Sequence, residues 1–238
     1  MTNKSVPESA GLAISSKSNS FQFFEFNYPD LKSLSQFFEL KENQCNLEKE
    51  QPGFLNTMFA DDCVAVSFKE ILAHEMDVLE EGRVQTQKYW IVEEGHFVIF
   101  KDFMISFGKP APVRSALMMI LKFTKFEPKP AFIAPEKIFK ISEHMAFIST
   151  MDLDRMEHPT IKKLRFDGKI ETLSDIAPFH NYTSNIKSVK GVITTPQGIR
   201  TIKIASTGKV QISKKKEEEL DSEFFKWVYH SLIKGKLH

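Results

Sequence analysis

Between Ile199 and Ser213 apolar and polar positions alternate strictly: Ile202 and Ile204 stand against Thr201 and Lys203, and Val210 and Ile212 against Lys209, Gln211 and Ser213. A period of two is the signature of a half-buried strand, so the stretch predicts two short strands about a glycine turn. "IKSVKGVIT" repeats the pattern, with Val189 and Ile193 on one side and Ser188 and Lys190 on the other, and "KLRFDGKIET" sets Lys163 and Arg165 opposite Leu164 and Phe166. Asp167-Gly168 in that last stretch predicts a type I′ hairpin turn, and "EEG" at 93–95 predicts a second hairpin between two apolar runs. "FQFFEF" at 21–26 and the composition of 137–154 both predict strands.

Elsewhere the period is helical. Leu31, Leu34, Phe37 and Phe38 share one helix face, with Pro29 near the first turn. Phe68, Ile71, Leu72, Glu75, Met76 and Leu79 keep the same spacing and predict a helix over 67–81, ended by Gly82. "PVRSALMMILKFT" predicts a buried helix opened by Pro112. At the C-terminus Leu220, Phe224, Trp227, Val228 and Leu232 form one stripe. Glu217, Glu218 and Glu219 sit at the positive end of that helix, and Lys234 and Lys236 at its negative end. The three prolines between Phe126 and Pro135 predict a surface crossing, and no repeat of fixed period is visible. The expected fold class is α+β: a mixed or antiparallel sheet with hairpins, and a C-terminal amphipathic helix packed on it. Strand, "ASTGKVQIS" turn, strand and C-terminal helix together resemble one half of a TATA-box-binding-protein repeat. No functional residue carries over from that resemblance.

Composition changes this picture little. The 238 residues suffice for a sizeable core, and 22 phenylalanines against 4 tyrosines and 2 tryptophans predict one rich in rings without polar handles. Cys45 and Cys63 make no C-x-x-C pair, so neither a zinc site nor a disulfide framework is expected, and a reducing cytoplasm is the simplest setting. The first twenty residues lack a basic start followed by an apolar run, and read as a flexible tail rather than a secretory signal. No run is long enough to span a bilayer, and no membrane role is expected.

Charge changes it more. The net value of +1 conceals a segregation: residues 159–216 hold twelve basic against three acidic residues, while the segments before and after carry balances of −6 and −2. Three parts follow: the tail 1–20, an acidic α+β part 21–150, and a basic β-rich part 151–238 ending in a helix. A basic block whose lysines alternate with buried isoleucines is how a polyanion-binding sheet face looks in sequence. Lys163, Arg165, Lys190, Arg200, Lys203, Lys209, Lys214, Lys215 and Lys216 are the candidate phosphate ligands, with neighbouring hydroxyls and amides to orient them. Tyr182 and Phe179 are nearby rings on which bases could stack.

Catalytic signals are sparse. "HEMDV" begins like a zinc-protease helix, but Val78 stands where the second histidine belongs. No phosphate-binding loop, nucleophile elbow or dinucleotide turn occurs. Asp152 and Asp154 would share one face of an extended segment, next to Glu157 and His158, and Asp167 with Lys169 supplies a D-x-K element. Together they outline a metal-dependent nuclease site. The leading expectation is non-enzymatic nucleic-acid binding, without cofactor, through the basic β-rich part. The alternatives are a protein or homo-oligomer contact joining acidic and basic parts, and the nuclease.

Overall fold

The structure is a computed structural model that describes residues 19–60, 62–80, 83–154, 160, 162–170, 182–214 and 218–235. Residues 1–18 of the tail, Gly82, Glu157, His158, Phe179, Lys215, Lys216, Glu217 and Lys236 lie outside them. The chain forms two compact units, one of residues 25–129 and one of residues 130–238 together with the first strand. The fold is broadly α+β, with antiparallel sheets and a C-terminal helix.

In the unit of residues 25–129, helix α1 (Leu31–Glu39) precedes four strands and helix α2 (Pro110–Thr124) follows them. The strands, β2 (Gly53–Phe59), β3 (Cys63–Glu80), β4 (Arg83–Phe100) and β5 (Phe103–Gly108), form an antiparallel meander in chain order. The preceding strand is β1 (Ser20–Glu25). Asp30 caps α1, its carboxylate accepting from the Ser33 amide at 3.0 Å. Phe38 of α1, Phe54 of β2 and Phe68 of β3 form a ring cluster, with centroids 4.4 and 5.0 Å apart.

The other unit repeats this order. After the two-residue strand β6 (Lys129–Pro130), helix α3 (Pro135–Glu143) opens it. Next come β7 (Phe147–Asp154), β8 (Lys163–Ile170), β9 (Ile186–Thr195), β10 (Gly198–Ala205) and β11 (Lys209–Ile212). Helix α4 (Ser222–Trp227) closes the unit and continues as a π-helical turn over Val228–Ile233. The sheet order is β1-β11-β10-β9-β7-β8, antiparallel throughout. Without β8, which lies on the outer edge of β7, this too is helix, four-strand meander, helix. The correspondence is one of topology, which a search for sequence period misses. The strand–turn–strand–helix of the resemblance is present, with Gly208 at φ +74° in the turn. Phe224, Phe225, Val228, Tyr229, Leu232 and Ile233 are buried along the helix, and the Phe225 ring meets Phe21 of β1 at 5.1 Å.

Four expectations are corrected. Residues 67–80 are strand, not helix. Both faces of this hairpin carry apolar side chains, and two interleaved strand patterns add up to a helix-like spacing. Glu93-Glu94-Gly95 is no turn but lies within β4. Gly95 is needed because a Cβ there would stand 2.9 Å from Val113 Cγ2 at the start of α2. Asp167-Gly168 is also interior to a strand, β8, with Asp167 paired to Thr150. Residues 135–143 are helical, with Pro135 in the first turn, despite their strand-like composition.

Candidate nucleic-acid interface

Period-two alternation gives the β7–β11 sheet its two faces. Met151, Val189, Ile193, Ile202, Ile204, Val210 and Ile212 are buried on one. On the other, the register lays out two polar rows. Arg165, Asp152, Ser188 and Ala205 stand side by side across β8, β7, β9 and β10. Asp167, Thr150, Lys190, Lys203 and Gln211 form the next row, which reaches β11.

Lys190 and Lys203 are direct cross-strand neighbours, an arrangement that like charges disfavour. Lys203 is relieved by Asp152, whose carboxylate accepts from its Nζ at 2.8 Å and from the Ser188 hydroxyl at 2.5 Å. Arg165 Nε stands 3.8 Å from the other oxygen of Asp152 and donates to Asp167 at 2.9 Å. Partial burial works to raise the Asp152 pKa, but the hydrogen bonds from Lys203 and Ser188 and the charges of Lys203 and Arg165 hold it below the usual carboxylate value.

The candidate ligands therefore divide. Lys163, Lys190 and Lys209 are exposed, with no ion pair among the described residues. Lys203 and Arg165 lie on the same face but are already paired. Lys214 donates to the Glu218 carbonyl at 3.1 Å. Arg200 is not on this face: it is 7% exposed on the buried side, ion-paired to Glu218 at 2.5 Å, with its guanidinium over the Phe224 ring at 5.5 Å. The parity of Arg200 with Ile202 and Ile204 carries that signal in sequence. Tyr182 is exposed.

A cleft of about 310 Å³ opens beside Asp152, lined by Lys163, Arg165, Lys187, Leu153 and Leu164. Lys187 was not among the candidates, because strand parity sets it with Val189. At the start of β9 its Nζ instead reaches Asp154 at 3.4 Å.

Asp152 and Asp154 lie on the extended strand β7 as expected, and Asp167 lies on β8 rather than in a turn, but each is turned to a cation: Asp152 to Lys203, Asp154 to Lys187 and Asp167 to Arg165. Lys169 lies over the Phe147 ring, 5.6 Å from its centroid. Among the described residues no three histidine, cysteine or acidic side chains are grouped to hold a metal ion. His74 is on a strand and stacks on Tyr89. No described helix is long and apolar enough to cross a membrane. No known family model matches this sequence, and no curated protein shows significant similarity to it.

Proposed function

We propose that the chain binds nucleic acid, without chemistry of its own, through the polar face of the β7–β11 sheet. The observation that carries the reading is the set of uncompensated cations there. Lys163, Lys190 and Lys209 project from three strands of one face, and Lys163 also lines a cleft with Arg165 and Lys187. Lysine and arginine neutralise phosphates, and the hydroxyl and amide among them (Thr201, Gln211) can orient a backbone. In this reading the amphipathic C-terminal helix packs on the buried face of the sheet and leaves the polar face open. Only the unpaired lysines release counterions at no internal cost. Among the described residues three such lysines are available, and three phosphates neutralised give a log–log slope of about −3 on duplex DNA. Fluorescence anisotropy with labelled duplex DNA, single-stranded DNA and RNA, titrated from low to physiological salt, tests this. Absence of binding to all three at low salt would contradict it.

A further inference from the structure

Where β7 stops, β9 begins and β10 turns into β11, a second cleft of about 250 Å³ opens. Phe132, Asn185, Ser206 and Thr207 line it, together with Asp154 and Lys187. Phe132 is 68% exposed, the most open aromatic side chain among the described residues. The backbone holds it there. Ala131 and Ile133 on either side are fully buried, which turns the ring between them outward. The Ala131 amide donates to the Phe23 carbonyl at 2.9 Å, and the Ile133 amide to the Ser206 carbonyl at 3.0 Å. The Ser206 amide in turn donates to the Lys187 carbonyl at 2.9 Å, so main-chain bonds tie the segment of the ring to that of the lysine. Gly208 packs the β10–β11 turn against the same segment, since a Cβ there would collide with the Ala131 carbonyl. An open ring on a fixed backbone is preorganised for a flat partner.

Lys187 also lines the cleft beside Asp152, with Lys163 and Arg165, and so joins the two. Their chemistry differs. The cleft beside Asp152 has three cations to one carboxylate. Lys163 has no ion pair among the described residues, and Arg165 and Lys187 carry more N–H groups than their carboxylates take up. The other cleft sets the ring beside an amide, hydroxyls and the Asp154 carboxylate, which repels a phosphate but accepts from the N–H of a base. Asn185 is fixed there by its amide, which donates to the Asp154 carbonyl at 3.2 Å. We infer that the two clefts together seat one nucleotide of a single strand, its base stacked on Phe132 and its phosphate held by Lys163, Arg165 and Lys187. Every base has a face to lay on a ring, so the stack selects unpaired bases rather than a sequence. Duplex bases are already stacked and paired, and cannot enter. The inference rests on the nucleic-acid reading above and adds the form of the partner, a single strand.

Two labelled strands of equal length and charge separate base from phosphate: an oligothymidylate and an abasic deoxyribose-phosphate strand, titrated by anisotropy with the full chain at low salt. The wild type should prefer the oligothymidylate about tenfold, within what one base on an aromatic ring contributes. Phe132→Ala should erase that preference and leave affinity for the abasic strand unchanged. Phe132→Trp should keep the preference, and Phe132→Leu, apolar but without a π-face, should lose most of it. Because the ring is largely exposed, all three variants should match the wild type in circular dichroism. Equal affinity of the wild type for the two strands overturns the inference while the nucleic-acid reading stands. A preference that Phe132→Ala retains does the same. Binding of neither strand, nor of duplex, at low salt overturns both.

Discussion

The two units share an order of elements and differ in what they do with the faces they leave open. The unit of residues 130–238 adds β8 to the edge of its meander and covers the polar face with charges, most of them answered by a neighbour: Asp152 by Lys203, Asp154 by Lys187, Asp167 by Arg165. The unit of residues 25–129 instead lengthens one hairpin and leaves Val84, Trp90 and Ile91 to solvent. An apolar surplus calls for another surface of the same kind, and a cationic surplus for an anion. The same topology thus leaves an apolar surface open in one unit and a cationic one in the other. The basic block is less basic as a surface than as a sequence, because three of its cations hold carboxylates and one, Arg200, is interior.

The contrast can be broken most forcefully at Arg200. Glu218→Ala leaves a buried guanidinium without its counter-charge, held only by the Ser213 and Gln197 carbonyls, and should cost about 3 kcal/mol in chemical denaturation, while nucleic-acid affinity per folded molecule stays unchanged, because Arg200 is off the polar face. A smaller effect sharpens it. Asp152→Asn removes the carboxylate that holds Lys203 and faces Arg165, at a cost of about 1–2 kcal/mol. It should nevertheless raise affinity for polyanions, and a paired loss of stability and of affinity would count against the assignment of that face. Asp221 caps α4, accepting from the Phe224 amide at 2.7 Å, so Asp221→Ala should cost about 1 kcal/mol and leave binding untouched.

Acid should separate the units by a subtler margin. His96, half-buried on β4 with its Nδ1 2.8 Å from the Ser67 hydroxyl, has its pKa lowered by burial, which the Glu94 charge only partly offsets. A histidine with a depressed folded pKa favours the folded state above its unfolded value of about 6.5, and that contribution is lost as pH falls through the folded value. Asp152 is depressed as well, so its contribution is present above about 4 and is lost only below that. Hydrogen exchange followed from neutral pH to pH 5 should therefore show protection falling first around Ser67 and His96, with the strands around Asp152 still protected. A His96→Gln variant should lose that early fall.

Strand parity was the most legible feature of the chain. The inward set Val189, Ile193, Ile202, Ile204, Val210 and Ile212 is buried as the alternation requires, because one face of each strand meets a core. The same rule applies to Arg200, whose parity with Ile202 and Ile204 places it inside in spite of its charge. The spacing over 67–81 misled for the converse reason: a ribbon open on both faces is under no pressure to alternate. Gly95 and Gly168 look like turn residues, and no local signal shows that one makes room for Val113 and the other lies inside a strand. Neither the topological repeat nor the neutralisation of the basic block was readable, since both depend on which strands lie side by side. Lys203 meets Asp152 across 51 positions of chain.

The central claim is that the unpaired lysines of the β7–β11 face bind phosphate. Its most direct test is the salt dependence of duplex-DNA binding, measured for the wild type and for Lys163→Ala/Lys190→Ala/Lys209→Ala. The account predicts a slope of about −3 for the wild type and a nearly flat, weak response for the triple variant, with thermal stability unchanged. Equal slopes and affinities for the two proteins, or no binding by the wild type at low salt, would contradict it.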